Sequence, residues 1–219
     1  AMSFDRYLLS PLRNRQGSGI MSLITAIGFS YVIQNLLVAF LGSQRRPFPN
    51  VLDFGPVVLF GHRFQSSQLM LLFISLILLV ILSLIVYKTK IGTGMRATQQ
   101  NPKAASLMGI NVRNITTFTF FISGVYAAIA GFLVAGYYEM VYPTMGVAVG
   151  TKAFAAAVLG GSGVLYGSIV GGLVVGLAEC YGGALVGGGY RDAIAFVILI
   201  IVLLIRPNGL FGKKDIVKV

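Results

Sequence analysis

An all-α, polytopic membrane protein of about six transmembrane helices, with a short capped helix in a basic loop, is the fold class this sequence predicts. Three observations point there. Hydrophobic residues make up 56% of the 219 residues and charged ones 11%, and the mean hydropathy of +0.85 is far above that of an ordinary soluble domain. Runs such as Leu69 to Tyr87 and Ile115 to Tyr138 are long enough, at about 1.5 Å per residue, to cross a hydrocarbon core of about 30 Å. The strict alternation that marks strands of a membrane β-barrel is missing from these runs.

The opening stretch, "AMSFDRYLLSPLRNRQGSG", lacks the short apolar core and small-residue cleavage site of a signal peptide and reads as an approach to a first helix. Candidate crossings follow at Ile20 to Leu41, Gln68 to Tyr87, Ile115 to Tyr138, Met145 to Gly161, Val164 to Leu185 and Ala193 to Ile205. The fourth and sixth are shorter than a normal span, and the fourth carries Lys152, so a re-entrant path competes with a crossing there. Between the first two runs, "GSQRRPFPNVLDFGPVVLFGHRFQSS" is punctuated by proline and glycine, which predicts extended pieces and a small hairpin.

A net charge of +11 raises the question of nucleic acid, but no basic face with interleaved aromatics emerges, and no nucleic-acid partner is expected. Instead the positive residues flank the apolar runs. Arg6, Arg13, Arg15, Lys88, Lys90, Arg96, Lys103, Arg113, Arg206, Lys213, Lys214 and Lys218 fall on one face, against Arg45, Arg46, Arg63 and Arg191 on the other. By the positive-inside rule the first face is cytoplasmic and both ends of the chain lie there. An even number of crossings must then separate the Lys88 loop from the tail, which requires the Lys152 segment to cross or a neighbour to be re-entrant as well.

The loop after the second run, residues 88 to 114, holds "KTKIGTGMRATQQNPKAASLMGINV". Asn101 is a helix cap, Pro102 suits the first helical position and Gly109 offers a left-handed stop. Ala104, Leu107 and Met108 fall at i, i+3 and i+4, a small apolar stripe. Spacing alone leaves two readings open: a linker whose helix packs back on its own bundle, or a docking surface. The string "GTGMRATQQNPKAASLMGINV" resembles the cytoplasmic coupling loop of ABC importer permeases of the branched-chain amino acid type. The resemblance continues through "LITAIGFSYVIQN", "KAFAAAVLGGSGVLYGSIVGGLVVGLAE" and "RPNGLFG", in the family's order.

That resemblance implies a single permease domain over residues 1 to 219 in a bacterial or archaeal cytoplasmic membrane. It implies partners as well: two ATPase subunits, a second permease subunit in a heterodimer, a soluble substrate-binding protein and an amino-acid substrate, within the lipid bilayer. Arg96, Asn101, Pro102, Ala104, Leu107, Met108 and Gly109 would then couple to the ATPases. Family members begin with further membrane segments absent here, so the resemblance also implies an N-terminally truncated or split permease.

Chemistry is sparse. The nearest approach to a phosphate loop, "GVAVGTK" at Gly146 to Lys152, has the wrong spacing, so ATP and Mg²⁺ are expected in the partner subunits and no cofactor in this chain. A single Cys180 and a single His62 make neither a disulfide nor a metal site, and no nucleophile and base pair is recognisable. The chain is therefore expected not to be an enzyme. Gly163, Gly167 and Gly171 recur every four residues, with Gly172 and Gly176 on an adjacent stripe, a pattern for close helix packing within the chain or between subunits. Lys152 and Glu179 are ionisable residues within apolar runs, where charge is costly, and either pair across neighbouring helices or face a polar path. Glu139, ending the third run beside Tyr137 and Tyr138, either lines an entrance or meets interfacial water.

Other functions fit parts of this pattern. An ABC permease for sugars or nucleosides shares the broad organisation. A secondary transporter would use Lys152 and Glu179 with an ion gradient, but gives the capped loop helix no role. A non-transporting membrane scaffold is the remaining alternative.

Overall fold

The computed structural model describes residues 19–49, 55–59, 62–161, 163–187, 190–206 and 209–212. The flanking cations Arg6, Arg13, Arg15, Lys213, Lys214 and Lys218 lie outside the described residues. In chain order the elements are α1 (Gly19–Leu41), β1 (Arg46–Pro47), β2 (Pro56–Leu59), β3 (His62–Gln65), α2 (Ser66–Lys88), α3 (Lys90–Gln100), α4 (Pro102–Leu107), α5 (Val112–Tyr138), β4 (Met140–Val141), α6 (Met145–Gly160), α7 (Leu165–Val186) and α8 (Arg191–Ile205). Helices α1, α2, α5, α6, α7 and α8 stand where the six crossings are expected. Four of these, α1, α2, α5 and α7, are long and apolar enough to cross a membrane. At 16 and 15 residues, α6 and α8 reach only about 24 and 22 Å, short of a core of about 30 Å.

The chain divides into two units, one ending at Pro143 and the other beginning at Thr144. In the first, α5 packs on α2, and midway along both helices the Tyr126 hydroxyl donates to the Leu78 carbonyl at 2.9 Å, so the phenol is paired between two apolar helices. The loop between α1 and α2 contains the expected hairpin, β2 antiparallel to β3, with Val57 opposite Phe64. A second, unforeseen ladder joins β1 to β4, with Arg46 opposite Val141. It is extended by Phe48 N–H donating to the Glu139 carbonyl at 2.9 Å and by an edge-to-face contact of Phe48 on Phe132.

In the second unit α6, α7 and α8 pack on one another. Leu159 and Val175 form the centre, with Ala156, Val174, Ile198, Leu199, Val202 and Leu210 against them. The α6–α7 crossing is made by glycine. Gly160 and Gly167 face each other so closely that a methyl on either would overlap the other's carbonyl oxygen, and one on Gly171 would overlap that of Ala156. Past α8 the chain returns to cap α6. Leu210 N–H donates to Leu159 O at 2.8 Å and Phe211 N–H to Gly160 O at 3.1 Å, satisfying carbonyls a helix end leaves without partners. This return needs the left-handed Gly209, at φ +78°, which has Gly161 Cα only 2.6 Å from where its Cβ would stand.

Candidate functional site

The loop between α2 and α5 holds two helices where the sequence predicts one. Its polar, glycine-containing residues 90 to 100 read as linker, yet they form α3 because Thr89 serves two helices at once. Its Oγ1 accepts from Gly92 N–H at 3.0 Å, capping α3, and its hydroxyl donates to Ile85 O at 2.6 Å near the end of α2. Gly92 and Gly94 are buried: a Cβ on Gly92 would overlap the Ile85 and Val86 carbonyl oxygens, and one on Gly94 would stand 2.8 Å from Ile115 Cδ1. Thus α3 is seated on α2 and α5. The glycines beside Ile91 and Met95 were the available signal for a helix packed at backbone distance.

The expected short helix is α4, Pro102–Leu107, with Pro102 in its first turn. Asn101 Oδ1 accepts from Lys103 N–H at 3.0 Å and Ala104 N–H at 3.1 Å. At the other end Gly109 takes φ +83° and Ile110 N–H donates back to Ala105 O at 3.1 Å. Asn111 then caps α5, its Oδ1 accepting from Asn114 N–H at 3.1 Å, a role the sequence reading missed. Losing the Asn101 cap costs about 1 kcal/mol. Asn101→Ala is therefore expected to speed amide exchange at Lys103 and Ala104 by about fivefold, with α5 amides unchanged; unaltered exchange would contradict the capping role.

One residue, Ala105, turns inward and is buried. The apolar stripe does not follow it: Leu107 is 88% and Met108 83% exposed, and Ala104 is exposed too. Hence α4 packs back through Ala105 while presenting Leu107 and Met108 outward. Arg96, grouped above with the coupling residues, stands elsewhere. Its guanidinium lies over the Tyr87 ring at 5.5 Å and its Nη2 reaches Thr93 Oγ1 at 3.5 Å, while its Nε is buried. It holds α3 to the end of α2.

In the second unit, Lys152 Nζ on α6 meets Glu179 Oε2 on α7 at 3.0 Å, with side chains 31% and 18% exposed. The other carboxylate oxygen, Oε1, is buried and has no hydrogen-bond partner among the described residues. Of the five glycines singled out, Gly167 and Gly171 pack against α6, as described. Gly163 is not on the helical stripe: at φ +92° it belongs to the turn before α7. Gly172 and Gly176 are exposed, with open space where a Cβ would go. Glu139 caps α5 in the left-handed region at φ 54°, and its exposed position lies next to Tyr137 and Tyr138, whose rings meet edge to face. Arg191 and Asp192 open α8.

Residues 9–203 match the family described as branched-chain amino acid transport system, permease component. The chain is 35% identical to the high-affinity branched-chain amino acid transport system permease protein BraD of Pseudomonas aeruginosa, over 99% of this chain and 71% of the relative. Its identity to the LivH permease protein of the same kind of system in Escherichia coli is 34%, with the same coverage. A ribose import permease protein of Haemophilus influenzae is 34% identical, but over only 58% of this chain and 41% of its own length. No solved structure matches the chain significantly.

Proposed function

The chain belongs to the branched-chain amino acid transport permease family, and on that premise we propose that it is the membrane-spanning permease subunit of an ATP-driven importer of branched-chain or other hydrophobic amino acids. It works in the cytoplasmic membrane with a second permease, two ATPase subunits and a soluble binding protein that selects the substrate. ATP and Mg²⁺ are held by the ATPases. The Lys88, Lys90, Arg96, Lys103 and Arg113 loop faces the cytoplasm, as do both ends of the chain.

The observation that carries this reading is the outward pair Leu107 and Met108 on a helix capped at both ends. Two large apolar side chains beside a basic loop are stable in water only at a cost, and a cleft on an ATPase removes it. Closure of the ATPases on ATP then pushes α4 and switches the permease between inward-facing and outward-facing states. The match over 99% of this chain to an amino-acid permease, against 58% of it to a ribose permease, favours an amino acid over a sugar.

Co-purification in mild detergent, from cells that also make the neighbouring transport subunits, tests the proposal. ATPase is expected to be retained by the native chain and lost, by about tenfold or more, with Leu107→Glu, Met108→Glu, because two buried carboxylates replace an apolar anchor. Retention equal in both would remove the coupling role from α4.

A further inference from the structure

The Lys152–Glu179 pair is not needed to hold α6 against α7. That crossing is already made by backbone contacts at Gly160, Gly167 and Gly171 and by the Leu159 and Val175 centre. An apolar pair would stabilise two membrane helices at least as well, since taking two charges out of water offsets much of their attraction. The bridge is also incomplete: Glu179 uses Oε2, while Oε1 is buried with no hydrogen-bond partner among the described residues. A buried carboxylate oxygen in that state is an acceptor awaiting a donor. Beside it the helix surface is bare. Gly172, Gly176 and Glu179 stand at i, i+4 and i+7 on one stripe of α7, and a Cβ on either glycine would meet nothing within 4 Å.

From this geometry we propose that Lys152 and Glu179 form a charge-exchange site for the zwitterionic head of an α-amino acid. The bridge is its closed, empty state. On opening, the substrate's ammonium takes Glu179 and its carboxylate takes Lys152, so each protein charge trades one opposite partner for another and neither is stranded in the membrane. The bare Gly172–Gly176 stripe gives the substrate's apolar side chain a smooth wall, which suits side chains of differing shape. Such a site recognises the head group common to all α-amino acids and leaves discrimination among side chains to other subunits. The inference rests on the importer reading above and names the residues of this chain that would touch its substrate.

The test uses the complete importer reconstituted in proteoliposomes with its binding protein and radiolabelled leucine, comparing the native chain with Lys152→Met, Glu179→Gln. The double variant leaves no lone charge, so a merely structural bridge predicts native uptake. The exchange site predicts an assembled complex, with ATPase subunits at native amounts, whose uptake is lower by about tenfold or more. Native uptake by the double variant would overturn the site while leaving the importer reading intact. A native complex that moves no branched-chain amino acid would overturn both. Should the double variant fail to assemble, Lys152→Gln, Glu179→Gln decides in its place, because it too leaves no lone charge while keeping polar side chains that can bond to each other: a loss of about tenfold in uptake by the assembled complex supports the site, and native uptake overturns it.

Discussion

Gly171→Ala is expected to loosen the second unit, while the neighbouring Gly172→Ala leaves it unchanged or slightly more stable. Both changes improve intrinsic helix propensity by about 1 kcal/mol. They differ in what the new methyl meets. At Gly171 it overlaps the Ala156 carbonyl oxygen and comes within 2.8 Å of Gly160 N, backbone atoms that cannot rotate away, so α6 and α7 must separate. Separation also opens the Leu159 and Val175 centre. A net loss of about 2–3 kcal/mol follows for Gly171→Ala, which lowers the thermal midpoint in detergent by about 4–12 °C. At Gly172 the methyl enters open space. Equal midpoints for the two variants would mean that the α6–α7 crossing is not made through the Gly171 face.

The second large effect concerns movement rather than stability. Gly92→Ala places a methyl on the Ile85 and Val86 carbonyl oxygens, so α3 must lift from the end of α2. With it go the two bonds of Thr89 and the seating of Gly94 against Ile115. The exposed Leu107 and Met108 are untouched, and the ATPase docking proposed for them is expected to survive. Under the proposed coupling role of α4, what is lost is the rigid connection by which a push on α4 would reach α2 and α5. Leucine uptake per ATP hydrolysed by the assembled complex should therefore fall by about tenfold, as a displacement of about 1 Å far from a reacting site is able to do. Gln100→Ala, at an exposed position on the same helix, provides the comparison and should retain native coupling. An undiminished ratio for Gly92→Ala would show that α4 drives the membrane helices by a route other than α3.

These expectations separate what was legible locally from what was not. The capped helix α4 could be read residue by residue, because Asn101, Pro102 and Gly109 act within a few positions of themselves. Its neighbour α3 could not, since Lys90–Gln100 is polar and contains two glycines, and only seating on α2 and α5 makes that stretch a stable helix. Lys152 and Glu179 were recognisable as a candidate pair from their rarity within apolar runs. That they meet at 3.0 Å, with one carboxylate oxygen left over, required the packing of α6 on α7.

The glycines show the boundary most clearly. By itself the sequence determined the apolar helices, their approximate ends and the two stripes of small residues, because length, hydropathy and helical period are properties of contiguous chain. Which stripe is packed was decided only by the tertiary structure: Gly167 and Gly171 lie against α6, Gly172 and Gly176 face open space, and Gly163 belongs to a turn. The physical reason is that a membrane helix is apolar on the side that meets lipid and on the side that meets protein. Hydrophobic patterning therefore carries no contrast between them, and only the approach of a second helix distinguishes the two.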